Sequence, residues 1–275
     1  MANFDVELVG KIGSMALIRR EDNDIDYNIF SRLGSELTPG MIWVSSGATE
    51  IGRLDFFHRN GYELSGDIEE VKADYASQGQ AILMENYRRF VPYPYSLRQV
   101  LVEHQHFNDP VKREFIRKLL LRTAHQNAIP IVNYNDSVSF EENRKMELNQ
   151  YIEKSGSAVE CIDNDETASV IATLVKARCL LILTSVDGIY RDVNDSSTLV
   201  PEISGKDINE VLDNIQELEA SCVGASRPGA NGAKAKLTFV KEPVMQGTQV
   251  IIGHARHSIK DLVSGNVPRT FIGVR

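Results

Sequence analysis

Basic residues are too few in this sequence to build a nucleic-acid surface. Its 30 Lys and Arg are outnumbered by 38 Asp and Glu, a net charge of -8, whereas polyanion-binding surfaces need clustered cations. That balance excludes a general affinity for nucleic acid or anionic membranes. It does not exclude a small anionic ligand, because a few lysines can dominate one pocket. Long apolar runs are missing as well: no segment approaches the ~20 apolar residues of a membrane span. The opening residues MANFDVELVGKIG lack the basic start and apolar stretch of a secretory leader. Cysteine is scarce, and Cys161, Cys179 and Cys222 are odd in number with no metal-type spacing. Such thiols are expected as small core residues in a reducing compartment. These absences predict a cytoplasmic protein with no membrane and no nucleic-acid partner, and no residue is assigned as a metal ligand.

What is present fits a globular α/β chain. Hydrophobic residues make up 42% and charged residues 25%, ordinary for a packed soluble fold. A length of 275 residues suffices for one large domain or two joined lobes. Short apolar runs alternate with helical patterns, which predicts α/β architecture. Strands are expected at 4–9, 41–44, 97–102, 129–132, 179–183, 249–252 and 270–272. Several, such as AIPIV and CLLIL, are continuously apolar, as strands buried on both faces are, so a mainly parallel sheet with helices on each side follows. Helices are expected over 110–126, 165–176 and from 232 to 240. In the first, Val111, Phe115, Ile116, Leu119 and Leu120 fall on one face. The polar stretch 139–156 interrupts the rhythm and reads as an exposed insertion or lid. With no repeat or linker, two lobes sharing one continuous sheet are expected.

Six loops stand where open α/β sheets place their ligands. Gly10-Lys11-Ile12-Gly13-Ser14 follows the first strand; Gly13 permits close backbone approach and Lys11 supplies a point charge. Alone, it is more often a plain connection. Ser45-Ser46-Gly47-Ala48 opens a helix with small residues, suited to an anion or simply to a cap. Ile131-Val132-Asn133-Tyr134-Asn135-Asp136 crowds polar groups at the end of a buried strand, either for an amine or as Asx turns. Asp163-Asn164-Asp165 precedes a helix, and a cap accounts for one of its acids, not for all three residues. Thr184-Ser185-Val186-Asp187-Gly188-Ile189-Tyr190 could cradle a nucleotide or be an ordinary turn. Gly229-Ala230-Asn231-Gly232-Ala233-Lys234-Ala235-Lys236 sets lysines at a helix start, a sound phosphate site, without the spacing of a Walker A loop.

In this order the loops resemble the amino-acid kinase family, and within it the glutamate 5-kinases. The pieces are GKIGS, VSSGA with Gly52-Arg53, ASQGQ, AIPIVNYND, DNDETAS, LILTSVDGIY, GANGAKAKL and GNVPRTFIG, covering nearly the whole chain. The resemblance implies a three-layer αβα sandwich around a mainly parallel sheet, with an acceptor-binding lobe over about 1–160 and a nucleotide-binding lobe over about 161–275. It implies ATP with Mg²⁺ as cofactors and a small amino acid, glutamate foremost, as the acceptor. Lys11 and Lys236 would flank the transferring phosphoryl group, with Asp165 organising them. Ser46, Gly47, Asp136, Asp163 and Asn164 would surround the acceptor. Gly13, Thr184, Ser185, Asp187, Gly229, Asn231 and Gly232 would belong to the nucleotide site. Assembly into homo-oligomers and feedback inhibition by proline are family properties that come with the resemblance.

The sequence departs from the family pattern at three points. The usual glycine-threonine-glycine-glycine loop reads Gly229-Ala230-Asn231-Gly232 here, with Asn tolerating a left-handed backbone. The stretch between Asp136 and Asp163 is long. The RNA-modifying-enzyme-like tail domain of many bacterial members is not expected, as the sequence stops soon after its last strand. Rival acceptors are N-acetylglutamate, carbamate, UMP or another phosphate monoester; a phosphate-bearing one calls for extra arginines, with Arg53 the local candidate. A non-catalytic regulatory protein predicts loss of the lysines or of Asp165, all of which are present. His104 and His106 lack a third metal ligand, and Trp43 reads as core.

Overall fold

A computed structural model of the chain describes residues 3–19, 21–161, 163–192, 194–221 and 232–275. It divides into two compact units, Gly13–Asn164 and a second made of 1–12 with Asp165–Arg275.

In Gly13–Asn164 three strands run parallel in the order Met41–Ser45, Ala128–Tyr134, Ser96–Val102. The middle strand is buried at every position, so both of its faces are covered, as the apolar run predicts. Trp43 is fully buried, its indole donating to the Tyr87 hydroxyl at 3.0 Å, a core residue as expected. The helix Ala48–Asn60 starts at Gly47, whose φ of +110° favours glycine. It packs on Ile68–Phe90, itself capped by Asp67 accepting from the Glu69 and Glu70 amides. This helix pair approaches closely: a Cβ on Gly79 would stand 1.8 Å from the Ala48 carbonyl oxygen, and one on Gly52 1.9 Å from that of Tyr75.

One expectation about this unit needs refinement. Helix Pro110–Arg122, followed by a short turn at Ala124–Gln126, does not bury the whole predicted apolar face. Ile116 and Leu120 are buried, while Val111 and Phe115 are 79% and 59% exposed. Spacing shows which residues share a face, not how much of it a neighbour covers. The polar stretch 139–156 is a helix, Glu141–Ser155, in which Leu148 alone is buried; Gly156 ends it at φ +80°. Its exposure is as predicted.

In the second unit the strand order is Glu202–Gly205, Arg269–Val274, Gln249–His254, Ala177–Thr184, Val6–Ile12. Within this strand order each pairing is parallel except that of Gln249–His254 with Arg269–Val274. Strand Glu202–Gly205 and helix Ile208–Ser221 were not among the expected elements. The helix Asn164–Leu174 is mostly buried, and Ala233–Met245 follows Gly232. Mainly parallel strands flanked by helices give the α/β sandwich architecture that the sequence predicts. Cys161 and Cys179 are buried, and burial pushes the Cys179 thiol up to about 12; Cys222 lies outside the described residues. Among those residues, no helix is long and apolar enough to cross a membrane.

Candidate active site

A lysine inside a sheet must be paired or neutral, because an isolated buried charge is very costly. Lys11 lies near the end of strand Val6–Ile12 and is 7% exposed. Its ammonium meets Asp165 Oδ1 at 2.5 Å, while Lys236 meets Oδ2 at 2.8 Å. Asp165 sits in the first turn of its helix, where the helix dipole favours an anion. Burial pushes its carboxyl up, but the two lysines outweigh that and hold it at about 2. The Lys236 side chain is 20% exposed against 9% for Lys11, so it is the more accessible cation. Each ammonium has three donors and spends one on Asp165, leaving others for an anionic ligand. All three groups belong to the unit containing Asp165–Arg275.

The other unit carries a connected amide network. Asn164 Nδ2 donates to Ser46 Oγ at 3.1 Å and to Asn133 Oδ1 at 2.9 Å. Asn133 Oδ1 also accepts from the Tyr134 amide at 2.9 Å, and Asn133 Nδ2 donates to Gln80 Oε1 at 2.8 Å. Two atoms of this network, Gln80 Nε2 and Asn164 Oδ1, are buried without a hydrogen-bond partner. Buried polar atoms are rarely left so. A donor and an acceptor of this kind match the carboxylate and ammonium of a zwitterion. Sequence reasoning places Asn133 in a candidate amine-binding loop without assigning it to the acceptor set, and assigns Gln80 no role. Both lie in segments that carry the resemblance, ASQGQ and AIPIVNYND, and a buried polar residue on an otherwise apolar face was the available signal.

Asp136 follows the end of strand Ala128–Tyr134 and is half-buried. Burial pushes its carboxyl up to about 6, against the opposing pull of Arg144 and Lys72. Asp163 is half-buried directly before Asn164. Gly13 has an extended backbone and precedes the turn Ser14–Ala16, so it needs no left-handed conformation there.

Among the nucleotide-loop candidates, Thr184 closes a tight turn. Its hydroxyl accepts from the Val186 amide at 3.0 Å and donates to the Val186 carbonyl at 2.8 Å. Ser185 is half-buried. Asp187 pairs with Arg256 at 2.7 Å and stands 3.6 Å from His257. A Cβ on Gly188 would lie 2.4 Å from Thr270 Oγ1, which explains the glycine in this turn. Gly232 leads extended backbone into the helix bearing Lys236, with no side-chain cap on its first amides. Gly229 and Asn231 lie outside the described residues.

The remaining polar candidates are engaged elsewhere. Arg53 pairs with Glu50 at 2.6 Å and with Glu63. His104, 3% exposed, meets Glu147 at 2.8 Å, and His106 Nδ1 accepts from the Glu103 amide at 3.0 Å. Among the described residues no cluster of three or more His, Cys, Asp or Glu is placed to hold a metal.

The amino acid kinase family model matches residues 8–254, and the chain belongs to that family. It is 31% identical over 258 residues to a glutamate 5-kinase of Enterococcus faecalis, covering 89% of this chain and 85% of that one. It is 28% identical over 237 residues to the glutamate 5-kinase of Shouchella clausii, covering 85% of this chain and 57% of that one. The chain thus spans a little over half the length of some curated relatives. In fold it is similar to carbamate kinase from Giardia lamblia bound to AMP-PNP, with a TM-score of 0.58, 14% identity and both chains covered over 100%.

Proposed function

We propose that the chain is an ATP-dependent kinase that transfers the γ-phosphate to the side-chain carboxylate of an amino acid, L-glutamate foremost, giving an acyl phosphate and ADP. The observation that carries this reading is the buried Asp165 carboxylate held between Lys11 and Lys236. Phosphoryl transfer needs positioning and charge stabilisation more than covalent catalysis. A carboxylate acceptor is already ionised at neutral pH, so no general base is required. One acceptor oxygen bonds to the γ-phosphorus as the bond to the β–γ bridging oxygen breaks, and that electron pair leaves with ADP. Lys11 and Lys236 would stabilise the negative charge on the transferring group, and Asp165 would keep both ammoniums fixed.

Ser46, Gly47, Asp136, Asp163 and Asn164 would hold the acceptor, with Gln80 and Asn133 completing the network. Thr184, Ser185, Asp187 and Gly232, with Gly13, Gly229 and Asn231, would hold ATP. Mg²⁺ prefers phosphate oxygens and waters with few protein carboxylates. Asp165 is already occupied by two lysines, so the ion would come as the metal–nucleotide complex, offsetting phosphate charge. Arg53, the local candidate for a phosphate-bearing acceptor, is bound by two glutamates. The test is hydroxylamine trapping: the product formed from MgATP and L-glutamate should yield a hydroxamate in step with ADP. ADP release without hydroxamate would rule out a carboxylate acceptor.

A further inference from the structure

The helix Glu141–Ser155 is fastened at three places around the end of strand Ala128–Tyr134. Ser139, just before it, shares a hydrogen bond with the Tyr134 hydroxyl at 3.1 Å. The Glu141 amide donates to Glu69, near the start of Ile68–Phe90, at 3.3 Å. One and a half turns further on, Glu147 meets buried His104 at 2.8 Å. Positions 141, 144, 148 and 151 are the less exposed ones of this helix, with Leu148 buried. Their spacing defines its inner face. Arg144 therefore lies inward, between the fastened residues.

What Arg144 faces is polar. It is near enough to the Tyr134 hydroxyl and the Asp136 carboxylate to oppose the upward push of burial on both. Lys72, an exposed residue of Ile68–Phe90, acts on Asp136 from a second side. Among the described residues neither cation forms an ion pair, whereas the neighbouring Lys145 pairs with Glu141. A half-buried arginine that acts on Asp136 without forming an ion pair, beside a loop of acceptor candidates, has donors left for an anionic group from outside. Its planar fork suits a carboxylate.

We propose that Arg144 is a specificity-determining residue that binds a second carboxylate of the acceptor, with Lys72 assisting. The site is thereby selective for dicarboxylic amino acids over monocarboxylic ones. This rests on the kinase reading given above for its readout in turnover, but not for its readout in binding. The long segment between Asp136 and Asp163 thus supplies a recognition group, and the helix is fastened so as to hold it in place.

The experiment compares L-glutamate with 4-aminobutyrate, which keeps the amine and one carboxylate but lacks the second. Wild type, Arg144→Gln, Arg144→Lys and Lys72→Gln are assayed for ADP formation and, independently, for acceptor binding by calorimetry. Loss of a charged hydrogen-bonded contact should raise the glutamate KM of Arg144→Gln roughly tenfold to a hundredfold. At pH 8, where Asp136 with its pKa of about 6 is ionised, its kcat and its KM for ATP should stay near wild type and its affinity for 4-aminobutyrate should fall far less than that for glutamate. Arg144→Lys should recover part of the loss, and Lys72→Gln should show a smaller shift of the same sign. Equal losses for both acceptors, or no loss, would overturn the proposal, because a purely structural arginine would not discriminate between them. If no variant forms ADP yet glutamate binding still depends on Arg144, the proposal stands and the kinase reading falls. Absence of any dicarboxylate binding to the wild type overturns it.

Discussion

Lys236 stands 2.8 Å from Asp165 Oδ2, on the carboxylate whose other oxygen meets Lys11 at 2.5 Å. One buried acid thus fixes two cations from distant parts of the sequence. The lysines share a counter-charge of one, so the cluster keeps a net positive charge ready for phosphate oxygens.

Removing either lysine should act on the chemical step. Lys236→Ala is expected to lower kcat on the order of 100- to 1,000-fold, as loss of one charge-stabilising donor does elsewhere. Its fold should persist, since that side chain is partly exposed. Asp165→Asn should instead unfold more readily, by about 3–5 kcal/mol, because it leaves Lys11 buried without its counter-charge. Steady-state kinetics and urea titration separate the two effects.

Acid stability should show the same group. The Asp165 pKa is lowered from 3.8 to about 2, so the folded state binds its proton less tightly than the unfolded chain. Its contribution is present above about pH 4 and is lost as pH falls towards 2. Asp165→Asn should flatten that limb in urea titrations taken from pH 5 to pH 2.

Asp136 has the opposite sign. With its pKa raised to about 6, its stabilising contribution is present below about pH 4 and is lost as pH rises through 6. If its ionised form receives the acceptor's ammonium, kcat/KM for glutamate rises with pH through about 6. Asp136→Asn should remove that limb and lower the plateau, read from a pH–rate profile under first-order conditions.

The helix pair of Gly13–Asn164 should be intolerant of a single methyl group. Gly79→Ala would bring a Cβ to 1.8 Å from the Ala48 carbonyl, which the two backbones can relieve only by separating. A loss of roughly 1–3 kcal/mol is expected from such overpacking. Gly61→Ala meets no atom within 4 Å but has a φ of +76°, so its cost comes from the backbone instead. Thermal melting of both variants checks the order.

Much of this fold could be read from apolar runs alone. The expected 179–183 became Ala177–Thr184 and 249–252 became Gln249–His254, because doubly buried strands leave an uninterrupted signal. Glu202–Gly205 is not legible in this way, since a four-residue strand reading EISG with one buried residue carries almost no such signal. Helix Glu141–Ser155 was legible as polar and exposed but not as a helix, having only Leu148 to mark a buried face. In the site, Lys11, Asp165 and Lys236 were named from family order, and the structure brings them together. Asn133 is legible only as part of a polar loop and Gln80 not at all, because only tertiary packing shows that a polar side chain such as Gln80 is buried with an amide atom unpartnered.

The most direct measurement is ADP formation from MgATP with and without L-glutamate, using wild type and Lys236→Ala. The account predicts turnover that requires glutamate and drops at least about a hundredfold in the variant. Glutamate-independent ADP formation, or a variant as active as wild type, would contradict the assignment of the Lys11–Asp165–Lys236 cluster to phosphoryl transfer.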